Sequence, residues 1–171
     1  GANYDLTGAT YDASSNRIFL AENNGVGTRI VAVSATTGAE LGATTAPFNI
    51  QSWSGLAIDP TSGHLWLGAA NGGSTVVEYS ISAAGVLTEL RRVDLSGQGV
   101  NQNEISGLAF DAAGNLWVAS TQGEIRFHGP TRELLDRPDI LRSVFLEGAA
   151  TASGDGRTAV SASGPSSTPA S

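Results

Sequence analysis

Past the middle of the chain, Ser106-Gly107-Leu108-Ala109-Phe110-Asp111 is followed after two residues by Gly114-Asn115-Leu116-Trp117-Val118-Ala119. It reads as a hairpin: a short strand of small and apolar residues, a turn opened by a short acidic residue, and a second strand carrying a large aromatic side chain. The same order occurs twice upstream. Leu6-Thr7-Gly8-Ala9-Thr10-Tyr11-Asp12 leads to Asn16-Arg17-Ile18-Phe19-Leu20-Ala21, and Ser54-Gly55-Leu56-Ala57-Ile58-Asp59-Pro60 leads to Gly63-His64-Leu65-Trp66-Leu67-Gly68. A weaker fourth copy runs from Glu147-Gly148-Ala149-Ala150-Thr151 to Ala162, with Ala152 where the others have aspartate. Asp12, Asp59 and Asp111 suit the turn because a short carboxylate accepts the backbone N–H groups that the turn leaves unpaired.

The leading glycines Gly8, Gly55, Gly107 and Gly148 are 47, 52 and 41 residues apart. A period of about 40 to 50 residues is that of one four-stranded blade of a β-propeller. Alternating segments between the hairpins, Thr28–Val33 and Thr75–Ile81, each with a Gly-containing turn and another short strand after it, supply the outer two strands; Gly123–His128 takes the third-strand part in the third copy. Thr131–Leu141 is more charged and suits a helical turn as well as a fourth strand. The chain is therefore predicted to be all-β: about three complete four-stranded blades plus a further hairpin, over residues 1–162 with repeats starting near 4, 51, 103 and 144. Residues 163–171, almost entirely Ser, Pro, Ala and Thr, read as a tail or linker.

Three blades and a hairpin are too few for the usual closed ring, which takes about four to eight. A longer chain, association of copies, or four unequal blades would each close it, and the first is favoured. An open arc exposes strand edges and apolar faces, so the expected partner is a protein or a second copy that completes the ring.

The pattern Gly-Leu-Ala-x-Asp followed by Gly-Asn-Leu-Trp-Val-Ala resembles the blades of NHL-type propellers and of their gluconolactonase-like, SdiA-regulated-like and esterase-like phytase relatives, over most of residues 4–162. That resemblance implies metal-dependent lactonases, phosphoesterases and plain binding modules alike, and fold does not choose among them.

Composition narrows the classes. Sixteen acidic and nine basic residues give a net charge of -7, every basic residue is arginine, and only Arg91 and Arg92 are adjacent. Nucleic acid is thereby disfavoured, because its binding needs clustered cations. The chain has no cysteine, hence no disulfide, thiolate metal site or thiol nucleophile, and no apolar run approaches the length of a membrane span. It begins at Gly1 and contains no methionine, as a mature exported segment would, so an extracellular or periplasmic location is expected.

In a propeller the loops entering each first strand share a face with the loops leaving each second strand. That face is predicted to gather Gln51, Trp53, Asn101, Gln102, Asn103, Glu104, Arg142 and Glu147 with Glu22, Asn23, Asn24, Asn71, Thr121 and Gln122. The candidate ligand-binding set is Glu22, Asn23, Trp53, Asn101, Asn103, Glu104 and Glu147. Amides and carboxylates are ligands for a hard cation, of which calcium is the natural example. The gluconolactonase resemblance points the same way, since those proteins hold their channel metal with Glu, Asn and Asp, although none of their ligand positions can be matched here. No catalytic residue is assigned: His64 and His128 lie in hairpins away from this face, and no nucleophile elbow or phosphate loop is present. Trp66 and Trp117 hold equivalent repeat positions and read as blade-to-blade packing. The leading reading is a non-enzymatic exported or surface module for binding or assembly. The alternative is a metal-dependent lactonase or phosphoesterase with its site at the channel mouth.

Overall fold

Alternating small and large apolar residues interrupted by left-handed turn residues produce eleven strands among the described residues. The computed structural model describes residues 5–23, 27–50 and 53–131. The first sheet holds β1 (Asp5–Asp12), β2 (Arg17–Asn23), β3 (Thr28–Ser34) and β4 (Glu40–Thr45). The second holds β5 (Ser54–Ile58), β6 (Leu65–Ala69), β7 (Thr75–Ile81) and β8 (Leu87–Asp94), and the third β9 (Ile105–Phe110), β10 (Asn115–Ser120) and β11 (Ile125–Pro130). Within each sheet the strands pair antiparallel in chain order, and β1, β5 and β9 lie side by side at the inner edge. These are blades of a β-propeller. The expected fourth strand of the third blade, the further hairpin and the tail fall outside the described residues.

The three aspartates act as the sequence predicts. Asp12 Oδ1 accepts the Ser14 amide at 3.0 Å, Asp59 Oδ1 the Thr61 amide at 2.8 Å, and Asp111 Oδ1 the Ala113 amide at 2.9 Å. Each turn ends on a left-handed residue, Asn16 at φ 51° and Gly114 at 82° directly before β2 and β10, and Gly63 at 73° two residues before the start of β6, which is why Asn or Gly stands there.

The leading glycines are explained by contact between blades rather than by turns. A Cβ on Gly8 would lie 2.5 Å from the Ser54 carbonyl oxygen, and one on Gly55 would run into the backbone of Gly107 and Leu108. Each blade thus lays its inner strand almost backbone to backbone on the next, which only glycine permits.

Outside that seam the blades are held by two apolar layers. Phe19, Ala21, Ile30 and Ala32 of the first blade pack with Leu56, Leu65, Leu67, Val77 and Tyr79 of the second. On the other face of the second blade, Trp66 and Val76 pack with Ile105, Leu116 and Val118 of the third, joined by Leu95 and Val100 from the connecting loop. Trp66, Phe19, Leu65 and Leu67 are fully buried, each removing enough apolar area to contribute about 1.5–3 kcal/mol. Trp66 meets Phe110 edge-on with ring centroids 6.2 Å apart.

Candidate functional site

The hairpin topology brings entry and exit loops to one end, as expected. The Ala70 amide bonds the Trp53 carbonyl at 3.1 Å, the Thr121 amide bonds the Glu104 carbonyl at 2.7 Å, and Asp5 and Leu6 pair with Asn23 and Glu22. The loop into the third blade also meets the loop out of the second, through the Asn103 amide and the Gly73 carbonyl at 3.3 Å.

The candidate side chains do not converge on one point. Glu22 is engaged by Arg29, Nε to Oε2 at 2.9 Å, and Asn23 is buried at the end of β2. Trp53 is exposed, as are Asn101 and Asn103, the latter in a left-handed turn at φ 63°. Glu104 accepts Asn101 Nδ2 at 2.9 Å and lies within ion-pair range of Arg126, 3.4 Å from Nε. The Asn101 side chain holds the Glu104 carboxyl below its ordinary value, with the Asn101 amide, Arg126 and Gln122 adding to the effect against partial desolvation. Glu147 and Arg142 lie outside the described residues. Among the described residues no group of three or more His, Asp or Glu side chains is placed to hold one metal ion. Of the three carboxylates that the sequence offered as cation ligands, Glu22 and Glu104 are each paired with an arginine of their own blade.

The concave feature lies at the other end of the hairpins, between the second and third blades. It is a cleft of about 340 Å³ bordered by Thr61, His64, Glu78, Arg91, Gly114 and Pro130, among others. Glu78 is the one charged residue of β7 and is almost wholly buried. Its Oε1 lies 2.7 Å from His64 Nδ1, and its Oε2 is paired with Arg91 Nε, the residue directly opposite on β8. Sequence reasoning set His64 aside and did not single out Glu78 or Arg91. The available signal was a lone acid in Thr75-Val76-Val77-Glu78-Tyr79, a run with no other charge.

The corresponding place at the first junction is filled by the protein itself. There Arg17, in the position of His64, donates from Nη1 to the carbonyls of Ser82 and Ala83 at 3.0 and 3.2 Å. The 82–85 turn presses on Ala32 and Gly42, the counterparts of Glu78 and Arg91; a Cβ on Gly42 would lie 2.6 Å from the Ala84 oxygen. The corresponding turn of the third blade falls after Thr131, outside the described residues.

Comparison with known proteins agrees with the fold. Residues 99–122, the entry loop and inner hairpin of the third blade, match the family model described as two component regulator propeller. The chain is similar to the structure of a luciferin-regenerating enzyme, with a TM-score of 0.53 and 20% identity over 71% of this chain and 40% of that one. It is also similar to the β-propeller domain of Cps50 (Swd1) from Myceliophteria thermophila, with a TM-score of 0.46 and 14% identity over 73% of this chain and 41% of that one. The chain therefore spans about two fifths of the length of these structures. No curated protein matches it. The fold is a partial β-propeller. No helix among the described residues is long and apolar enough to cross a membrane.

Proposed function

We propose that this chain is a non-enzymatic propeller module of an exported or surface protein, working through binding or assembly with a protein or with further copies of itself. One observation carries the reading. On the first blade, the face turned away from the second carries Tyr11, Ile18 and Leu20, with Tyr11 54% exposed. The repeat counterparts of Ile18 and Leu20 on the second blade, Leu65 and Leu67, are sealed at 0% by the blade before them. On that face of the first blade Val31, paired with Leu20, is buried at 1%, but Tyr11 is exposed and Ile18 and Leu20 are only part-buried, and an apolar sheet face left partly open in this way is a docking surface for another sheet.

The test is the size of the full chain in solution across a range of concentrations. Self-association above 17.4 kDa, or capture of a propeller-containing partner, is expected, and Tyr11→Ser with Leu20→Ser should abolish it. A wild-type chain that stays a stable, folded monomer and takes no partner would overturn the reading. So would metal-dependent turnover of lactones or phosphoesters that is lost in Glu104→Ala.

A further inference from the structure

We infer that the partner seated on the first blade is a propeller blade of a different protein, and that it carries an arginine at the start of its second strand. The inference rests on the assembly reading above and names the chemistry of the partner which that reading calls for. The junction between the first and second blades is the template, because a propeller is built by radial repetition of one blade.

At that junction the earlier blade gives a cation and the later blade gives a turn. Arg17, the first residue of β2, is 9% exposed, and its Nη1 donates to the carbonyls of Ser82 and Ala83 at 3.0 and 3.2 Å. Those carbonyls belong to the turn between β7 and β8, in which the Gly85 amide bonds the Ser82 carbonyl at 2.9 Å and Gly85 is left-handed at φ 80°. A guanidinium suits the task because it is always charged and offers its donors in a rigid fork. Gly85 is buried beneath it; a Cβ there would lie 2.5 Å from Ala32 Cβ and 3.5 Å from Arg17 Nη1.

The first blade repeats this turn between β3 and β4. Ser34-Ala35 stands where the second blade has Ser82-Ala83, the Gly38 amide bonds the Ser34 carbonyl at 2.8 Å, and Gly38 is left-handed at φ 72°. The turn is already held in shape by its own blade. The Ala35 amide donates to the Asn16 carbonyl at 3.1 Å, and Asn16 Nδ2 donates to Thr36 Oγ1 at 2.8 Å. The Tyr11 hydroxyl, on Asn16 Oδ1 at 3.0 Å, joins the turn to the apolar face of the first blade. Where Gly85 is buried, Gly38 is exposed, and so is every residue from Ala35 to Glu40.

The described blades bring no such cation to this turn. The position of Arg17 is held by His64 in the second blade and Asn115 in the third. His64 is engaged by Glu78, Asn115 Nδ2 donates to Asp111 Oδ2 at 2.8 Å, and Arg17 itself is engaged by the second blade's turn. A further copy of these blades therefore offers the first blade no free guanidinium. The net charge of -7 also favours a partner that brings positive charge.

The experiment places the photo-reactive residue p-benzoylphenylalanine at Ala35 in the full chain, mixes it with the soluble proteins of its source cells, and sequences the peptide attached on irradiation. The expected peptide comes from a different protein and contains an arginine that opens the second strand of a propeller blade. Alanine in place of that arginine should weaken the complex about tenfold or more, and lysine should restore only part of the loss. A peptide from a second copy, from this chain's own 150–160 segment with its Arg157, or from a blade without that arginine would overturn the inference, and so would no attached peptide. Tyr11→Ser with Leu20→Ser separates this failure from that of the assembly reading. If that variant loses association while the partner's arginine can be replaced without effect, the apolar face docks a partner and the guanidinium contact is wrong.

Discussion

His64 Nδ1 sits 2.7 Å from the Glu78 carboxylate, which also takes Arg91 on its other oxygen, so a charge buried between two blades is matched entirely by groups at their rim. Burying a carboxylate costs several kcal/mol, and what makes it tolerable is the cation beside it. Removing the cation should therefore hurt more than removing both. Arg91→Ala should lower stability by about 2 kcal/mol, reduced from the fully buried case because Arg91 is half exposed, whereas Glu78→Leu should change it by less than about 1 kcal/mol. The double variant should be more stable than Arg91→Ala alone. Urea midpoints of the three variants give the comparison, and a double variant at least as unstable as Arg91→Ala would show that the pair is a net stabiliser.

Gly55 tests the seam between blades. A methyl group there would collide with the backbone of Gly107 and Leu108, which cannot swing aside as a side chain can. Gly55→Ala should cost about 3 kcal/mol or more, while Gly97→Ala, with open space around it, should stay within about 0.5 kcal/mol. Thermal unfolding of the two variants decides the matter; similar midpoints would mean that the inner strands can separate without loss.

What was legible in the sequence follows from what repeats. Gly8 and Gly55 recur because the first two blades lay their inner strands on the next in the same way, and Asp12, Asp59 and Asp111 recur because every inner hairpin needs its turn amides paired. A pattern imposed three times by the same geometry can be read without coordinates. Glu78, His64 and Arg91 occur once, and their meeting depends on the cross-strand register of β7 with β8 and on the approach of β6, which no local spacing announces. The candidate loop residues show the same. The arginines that engage Glu22 and Glu104 come from β3 and β11, a pairing that no local spacing in the sequence shows.

Trp66 and Trp117 hold one repeat position, and the sequence predicts interblade packing for both. For Trp66 that is what is found: full burial between the second and third blades, with Phe110 edge-on. Trp66→Ala should cost about 3–5 kcal/mol, the usual price of a large cavity in a core that relaxes only partly. Trp66→Phe should recover more than half of that loss. Equal destabilisation by the two replacements in equilibrium unfolding would mean that the indole's shape, and not its volume, holds the junction.

Asp12 links the first turn to pH. Burial pushes its carboxyl up, but bonds from the Ser14 and Ser15 hydroxyls and the Ser14 amide, together with Arg17 at 3.5 Å, outweigh that and leave it below the ordinary 3.8. A carboxyl lowered in the folded state stabilises the fold above its unfolded value, and that contribution is lost as pH falls through the lowered folded value. Asp12→Asn should therefore cost about 1 kcal/mol at pH 7, since an amide accepts the turn bonds more weakly than a carboxylate, and the cost should shrink in acid well below the ordinary 3.8, as the lowered carboxyl takes up its proton. Urea unfolding of wild type and variant at the two pH values measures this directly. An undiminished difference in acid would show that the turn depends on the shape of the Asp12 side chain and not on its charge.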